Sequence, residues 1–285
     1  MVRRYAAGTA AGAALIVSLA GCQGDSGGDK GDGVKVSAAQ AIDMASQKTS
    51  KVDTYKVDLT ENGKGQSASK MHAVVQVRLR PDVAATGTLD QAAFGGFSMP
   101  GGARAILLGD NVYGKVPQQL TQFTGGKPWV RLSLSRAGQQ PGANIDEVLR
   151  QANPAEQTKI FTGSKDVHQV GTESINGVKT THYRGSITPQ EAATRLDPKA
   201  RKSFQEFYQR TGAGKLGFDL WVGADNLPRK LVSKVTASEG TATVTMIFSD
   251  YNKSFTVTAP PANQVADADQ LKNSFGGQGT PKLPG

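Results

Sequence analysis

The sequence predicts an α+β fold in which one strongly curved antiparallel sheet, a half-barrel, is covered on one face by a few helices. Three observations predict it. Apolar and polar residues alternate with a period of two over most of the 285 residues. The connections between these segments are rich in glycine and asparagine, as in β-hairpins. The helical segments arrive singly, so the strand–helix–strand rhythm of a parallel sheet does not develop.

The chain begins with the features of a bacterial lipoprotein signal. Arg3 and Arg4 precede an apolar run over residues 6–18, which ends in Leu19-Ala20-Gly21-Cys22. The run is shorter than the ~20 residues that a transmembrane helix needs. We expect residues 1–21 to be a signal peptide and Cys22 to become the acylated N-terminus. The alternative is an ordinary secreted protein with a buried cysteine.

Cys22 is the only cysteine, so its acylation would leave no disulfide and no thiolate for catalysis or metal binding. Residues 22–36 contain glycine, aspartate and lysine with almost no apolar residue, which predicts a flexible tether behind the lipidated cysteine. Residues 37–268 are long enough for one domain with a sizeable core. Residues 269–285 are mostly glycine, proline and polar residues, which predicts a disordered tail.

The helices are predicted from their capping residues. A serine or asparagine followed three residues later by glutamine or glutamate forms a capping box, and proline is favoured at the first helical position. The four predicted helices run from Ser37 to about Lys48, from Asn144 to about Asn153-Pro154, from Thr188 past Glu191, and from Asp197-Pro198 to Gly212.

The strands are predicted from the alternation, and roughly ten antiparallel strands result. In chain order the segments are residues 55–59, 71–79, 83–89, 103–108, 112–116, 129–134, 167–175, 178–187, 216–222, 229–237 and 241–251. Asn176-Gly177 and Glu239-Gly240 are predicted hairpin turns. The glycine-rich segment 94–102 is predicted to be a loop tucked onto the core; contact with a bilayer or gating of a cavity mouth is the alternative.

Catalytic and metal-binding patterns are weak. His72, His168 and His182 fall in predicted strands without the spacing of paired ligands, which is typical of solvent-facing or hydrogen-bonded histidines. Ser67-Ala68-Ser69-Lys70 matches the Ser-x-x-Lys spacing of serine–lysine enzymes, but it lies in a predicted hairpin loop instead of at a helix start. Asp225, Asp267 and Asp269 lack the spacing of a calcium loop. We expect no catalytic residue, no metal site and no cofactor.

The charge of the chain favours a position near anionic lipid. The formal net charge is +9, and without Arg3 and Arg4 it is +7. Such an excess suits a domain held close to anionic headgroups. A nucleic-acid partner is not expected, because the basic residues are scattered along the strands and a lipid anchor of this kind faces away from the cytoplasm.

Three segments resemble a known family. They are Gly171 with the hairpin residues Asn176-Gly177-Val178 and Thr180-Thr181-His182-Tyr183-Arg184-Gly185, the segment from Trp221 to Lys230, and Phe248-Ser249-Asp250-Tyr251 with the later Val257-Thr258-Ala259-Pro260-Pro261. In order and spacing they resemble the LppX/LprA/LprG-type lipoproteins of actinobacteria. The resemblance covers most of the chain from Ser37 to Val265, while Asn252-Lys253 and segment 94–102 depart from it.

The resemblance implies a LolA/LolB-like half-open barrel that is closed by helices and encloses an apolar cavity for the acyl chains of lipids or glycolipids. The inward-facing residues then become candidate cavity residues: Tyr55, Val57, Leu59, Val75, Val77, Leu79, Phe204, Phe207, Phe218, Leu220, Val244, Met246 and Phe248. The alternative is that the same side chains form a solid core.

The predicted function is that of a non-enzymatic lipoprotein that binds or carries lipid at the extracytoplasmic face of the cell membrane. Its predicted partners are the membrane, through Cys22, a lipid or glycolipid ligand, and an envelope protein. An envelope sensor or protein-interaction module with a filled core is the alternative, and a hydrolase built on Ser69 or His182 is a third hypothesis.

Overall fold

The computed structural model describes residues 36–65, 68–94, 97–99, 101–137, 153–238 and 240–268. Within these ranges, one open and curved sheet is accompanied by a few helices, which confirms the predicted α+β half-barrel. The predicted signal peptide, Cys22, most of the tether, the helix predicted from Asn144, and the tail from 269 lie outside the described residues. No described helix has both the length and the apolar character needed to cross a membrane.

Thirteen strands are present in the described ranges. They are β1 Thr54–Gly65, β2 Ser69–Arg78, β3 Ala84–Phe94, β4 Phe97–Met99, β5 Ala103–Leu108, β6 Asn111–Lys115, β7 Trp129–Ser133, β8 His168–Ile175, β9 Val178–Ile187, β10 Leu216–Gly223, β11 Pro228–Ala237, β12 Gly240–Ser249 and β13 Val265–Asp267. The α-helices are α1 Ala38–Thr49, α2 Leu134–Ala137, α3 Pro154–Phe161, α4 Pro189–Ala193 and α5 Pro198–Thr211, with 3-10 helices at Gln118–Thr124 and Ala262–Gln264.

The sheet runs in the order β13-β7-β6-β5-β3-β2-β1-β12-β11-β10-β9-β8, and β4 pairs with β3. The pairings are antiparallel except for β13 with β7, which run parallel. The strands at the two ends of this order, β13 and β8, do not pair with each other, so the barrel stays open.

The register defines two faces and two ends of the sheet. Val57 lies opposite Phe248 on one side and Val75 on the other, so these side chains share one face. We call it the inner face, and the opposite side the outer face. We call the end at which Thr54 lies opposite Arg78 the proximal end. The distal end is the one at which β1 reaches Gly65 opposite Gly240.

Three of the four predicted helix starts lie in described residues, and all three are observed. The Ser37 hydroxyl accepts a hydrogen bond from the Gln40 backbone, and the Gln40 side chain accepts one from the Ser37 backbone. Thr188 and Glu191 form the same reciprocal box at α4. The backbone N–H of Thr188 and the ammonium of Lys165 both donate to Glu191 and lower its pKa to about 2.

Asn153-Pro154 begins a helix that was not predicted, while the predicted helix from Asn144, which was expected to end there, lies outside the described residues. The Asn153 side chain accepts from the Ala155 backbone at 2.9 Å, and Pro154 occupies the first turn of α3. Both residue types are favoured at helix starts, so the local pattern was compatible with this outcome. Strands β4 and β13 were not predicted, and β4 places part of segment 94–102 in the sheet instead of in a loop.

The core lies between the inner face and the helices. Phe161 of α3 stacks on Phe218 of β10 with ring centroids 4.2 Å apart. Ile42 and Ala45 of α1 and Ala192 of α4 are almost fully buried in the same apolar cluster. The helices therefore cover the inner face through small and branched side chains that allow close approach.

Gly185 provides the space for the Phe218 ring. A Cβ atom at Gly185 would lie 2.9 Å from Phe218 Cζ and 2.9 Å from the Ser164 hydroxyl. Gly171, on the neighbouring strand β8, has no atom within 4 Å of the same position. The two glycines thus differ in packing while sharing a β conformation.

We expect Gly185→Ala to lower the free energy of unfolding by about 1–3 kcal/mol, because the core cannot accept another methyl group there without displacing Phe218. Gly171→Ala is the control and should change it by less than about 0.5 kcal/mol. Denaturant unfolding followed by circular dichroism measures both values. Equal stability of the two variants would contradict this account of the packing.

Candidate functional site

The structure brings the predicted cavity residues together. The side chain of Phe207, in α5, lies outside the described part; the other twelve belong to one apolar cluster. Seven of them are buried: Tyr55, Val57, Val77, Phe218, Leu220, Met246 and Phe248. Five are partly buried: Leu59, Val75, Leu79, Phe204 and Val244. Their role in binding a ligand stays a prediction, since a packed cluster also suits a solid core.

On strands β1, β2 and β12, burial falls along the inner face from the proximal to the distal end. On β1, Val57 is fully buried and Leu59, two residues further, is only partly buried. The same step occurs on β2 between Val77 and Val75, and on β12 between Met246 and Val244. The distal half of these three strands therefore leaves apolar side chains partly open to solvent, whereas β10 stays buried there at Phe218.

The distal half of the inner face is apolar almost to its edge. Ala73 and Ala242 continue the rows of Val75 and Val244, and both are partly buried. The first charged side chain along β1 on this face is Glu61, whose carboxylate accepts a hydrogen bond from the Ser69 hydroxyl at 2.8 Å. An apolar strip with a polar edge is a surface that an acyl chain can cover without losing hydrogen bonds.

Two pockets open elsewhere on the protein. One of about 200 Å³ lies between α1 and strands β9 and β10. Its lining consists of Val36, Ala41, Met44, Thr181, Tyr183, Val222, Gly223, Ala224 and Asn226. The other, of about 480 Å³, lies between the connection at 101–103 and the connection after β6. Neither pocket is lined by a predicted cavity residue.

Sequence reasoning missed Tyr183 and Val222 as lining residues, although both alternate onto the inner face and could have been found that way. Tyr183 lies opposite Leu220, and Val222 opposite Thr181. Burial raises the pKa of Tyr183 above its usual value. The small pocket is therefore a continuation of the inner face beside α1.

Tyr55 is a buried phenol at the proximal end. Its hydroxyl has no hydrogen-bond partner within the described residues, and burial strongly raises its pKa. Tyr251 is also buried, with a pKa raised well above 10, but its hydroxyl donates to the carbonyl of Pro228 at 2.8 Å. The two tyrosines thus differ in whether the buried donor is satisfied.

The outer face carries a polar network around His182. Its Nδ1 lies 3.0 Å from Glu173 and its Nε2 2.7 Å from Asp219, while its ring stacks on Trp221 at 4.1 Å. The ammonium of Lys230 lies over the Trp221 ring, 4.5 Å from its centroid. Because both ring nitrogens face carboxylates, His182 is placed to hold strands together and not to activate a hydroxyl.

His72 repeats this arrangement on another part of the outer face. Its two ring nitrogens lie 3.2 Å from Asp58 and 3.1 Å from Asp90, one carboxylate on each flanking strand. His168 is separate and approaches the carbonyl of Asp166 at 3.0 Å. Across the described ranges, no three His, Cys, Asp or Glu side chains are arranged to hold a metal ion.

The other residues considered for catalysis or for calcium binding do not form a common site within the described residues. Ser69 and Lys70 open strand β2, so Ser-x-x-Lys is not on a helix, and Ser67 lies outside the described residues. Asp225 pairs with Arg229, and Asp267 pairs with Arg131. Asp269 is not described.

Comparison with known proteins supports the fold. No family model matches the chain. An uncharacterised 31.2 kDa protein of Streptomyces griseus is 27% identical over 182 residues, which are 62% of this chain and 60% of that protein. A predicted lipoprotein of Streptomyces coelicolor is 26% identical over 60% of this chain and 53% of its own length. The chain thus matches a little over half the length of these curated relatives.

Among solved structures, LprF from Mycobacterium bovis superposes with a TM-score of 0.51 at 16% sequence identity, over 79% of this chain and 97% of that chain. At this identity the likeness concerns the fold. The chain therefore has the fold of the LppX/LprA/LprG-type lipoproteins, as the three sequence segments predicted.

We expect Tyr55→Phe to leave the free energy of unfolding unchanged or to raise it by up to about 1 kcal/mol, because the removed hydroxyl donates to no described group. Tyr251→Phe should lower it by about 1 kcal/mol, since the Pro228 carbonyl loses the 2.8 Å hydrogen bond and keeps only the longer one from Arg229, at 3.5 Å. Chemical denaturation of both variants tests the pair. A larger loss for Tyr55→Phe than for Tyr251→Phe would show that the Tyr55 hydroxyl has a partner.

Proposed function

We propose that this protein is a lipoprotein, anchored through Cys22 at the extracytoplasmic face of the cell membrane, that binds the acyl chains of a lipid or glycolipid on the inner face of its sheet. The observation that carries the proposal is the incomplete cover of that face. Leu59, Val75 and Val244 remain partly exposed although all three belong to the apolar cluster of the inner face.

An acyl chain fits this surface for an energetic reason. Removing apolar area from water gains roughly 25 cal/mol per Å², or about 0.8 kcal/mol for each methylene group. A hydrocarbon tail requires no hydrogen bonds from its site, and the distal inner face offers few up to Glu61 and Ser69. Binding of this kind selects for chain length and shape more than for polar groups.

The mechanism is passive. Acyl chains enter along the distal half, where helices do not bury the strip, and displace water from it. Transfer to another carrier or membrane follows the difference in affinity and needs no nucleotide or redox reaction in this domain. The position of His182 between Glu173 and Asp219 agrees with a non-enzymatic protein, because both its nitrogens already have carboxylate partners.

An envelope sensor or interaction module is the second candidate. The close packing of the proximal half favours it, since Val57, Leu220 and Leu231 are at most 1% exposed. Such a protein would bind an envelope protein and retain no lipid. Mass spectrometry of the protein purified from its own host separates the two candidates, because only a carrier brings a defined lipid with it.

We expect Val75→Gln to lower the amount of retained lipid by about ten-fold, because an amide without a partner disfavours contact with hydrocarbon. Val74→Gln is the matched control: it changes the adjacent valine, which is also partly buried but lies on the outer face. It should retain lipid like the unchanged protein. Equal retention by both variants, or no lipid on the unchanged protein, would contradict the proposal.

We expect Cys22→Ser to abolish incorporation of labelled palmitate during growth of the host, because the chain has no other cysteine. Ser26→Ala, a neutral change in the tether, should incorporate the label normally. Mass spectrometry should also find mature chains that begin at residue 22. Label on the Cys22→Ser protein would rule out this anchor.

A further inference from the structure

We propose that the distal end of the sheet docks on an anionic lipid bilayer through four lysines of its outer face. These residues, which we call the lysine patch, are Lys64, Lys70, Lys215 and Lys234. All four are exposed, and none has an ion-pair or hydrogen-bond partner within the described residues. The surface is distinct from the acyl-chain site, which lies on the other face.

The register brings the four lysines together. Lys70 lies opposite Asn62, Asn62 opposite Thr243, and Thr243 opposite Lys234, so one row crosses four strands. In the next row toward the distal edge, Lys64 lies opposite Thr241 and Thr241 opposite Thr236. The backbone of Gly214, beside Lys215, donates to the Thr236 carbonyl, which places Lys215 at the end of that second row.

The two rows form a compact cationic surface. Adjacent strands are about 4.8 Å apart, so each row separates its lysines by about 14 Å. The side chains between them are threonines and one asparagine, which add hydrogen-bond donors and no negative charge. The nearest described acid on β1, Glu61, lies on the inner face and accepts from Ser69.

At the proximal end, several cations instead have carboxylate partners. There Arg80 pairs with Asp53, and Lys253 pairs with Asp250. Arg229 pairs with Asp225 in the same way. Cations neutralised by nearby carboxylates attract an anionic surface weakly, whereas unpaired lysines each strengthen binding to anionic lipid by about five-fold.

A bilayer fits the patch better than an acidic polymer does, because partly exposed apolar side chains lie on the other face of the same strands. Behind the patch, the same strands β2 and β12 carry Met71, Ala242 and Val244 on their inner side, and all three are partly exposed. A tip with cations on one side and open apolar surface on the other matches a membrane, in which headgroups lie above hydrocarbon. A phosphate-rich polymer would use only the cations.

The experiment uses the mature chain from residue 22 with Cys22→Ser, so that no acyl anchor contributes. Its binding is measured by co-sedimentation with vesicles of phosphatidylcholine, alone or with about one third phosphatidylglycerol. We expect binding to the anionic vesicles only, and weaker binding at high salt, where the charges are screened. Binding to a soluble polyphosphate with none to the vesicles would overturn the proposal in favour of a polymer.

Neutralising the patch supplies the decisive comparison. The fourfold variant Lys64→Gln, Lys70→Gln, Lys215→Gln and Lys234→Gln should lower vesicle binding by about 20-fold or more. The control has the same change of charge at four exposed lysines away from the patch: Lys48→Gln, Lys51→Gln, Lys159→Gln and Lys179→Gln. It should bind like the unchanged chain, and so should the variant with four arginines in the patch.

Equal loss in the patch variant and the control would mean that only net charge matters, and would overturn the assignment to these four residues. Denaturant unfolding verifies that both variants fold. Lipid retention measured on the same proteins separates this proposal from the proposed function: docking fails if the patch variant binds vesicles normally, whether or not the inner face holds lipid.

Discussion

The pairing of β1 with β12 and β2 is the constraint from which the remaining features follow. It aligns Val57 with Phe248 and Val75, and thereby collects the large apolar side chains of the central strands on one face. A face of this length must be covered by other elements or remain partly in contact with water. The helices α1, α3, α4 and α5 are short, and on β1, β2 and β12 the distal part of the face remains partly exposed. The transition from Val57 to Leu59 marks the limit of their cover.

The outer face helps to fix the register of neighbouring strands. The alternation of apolar and polar side chains excludes a slip by one residue, which would turn every side chain to the wrong side, but it does not exclude a slip by two residues. His72 bridges Asp58 and Asp90 and thus joins three consecutive strands of the sheet. His182 does the same between Glu173 and Asp219. Both networks satisfy directional hydrogen bonds in one register only, so they select it.

Much of the fold could be predicted because its determinants are local. Asn176 and Gly177 both have positive φ angles, 48° and 81°, as an Asn-Gly hairpin turn requires. The capping boxes at Ser37 and Thr188 involve residues only three positions apart. Short β4 and β13 were missed because three residues cannot show a period, and their pairing depends on partners distant in sequence.

The sequence predicts which residues lie on the inner face, but it does not predict which of them the helices bury. Alternation identifies Val57 and Leu59 equally well, yet only their position relative to the helices decides that one is buried and the other is not. The same holds for charge: the spacing of residues does not show that Arg80 pairs with Asp53, which lies 27 residues away. Contacts between residues so distant in sequence cannot be predicted from local patterns.

The two unpaired ends of the sheet have a mechanical consequence. Because β8 and β13 do not pair with each other, no hydrogen bonds across a seam hold the curvature of the sheet at one value. A small change of twist at each strand pair is then enough to bend the sheet more or less, while every ladder of hydrogen bonds stays intact. A closed barrel has no such freedom, because its strand number and stagger set its diameter.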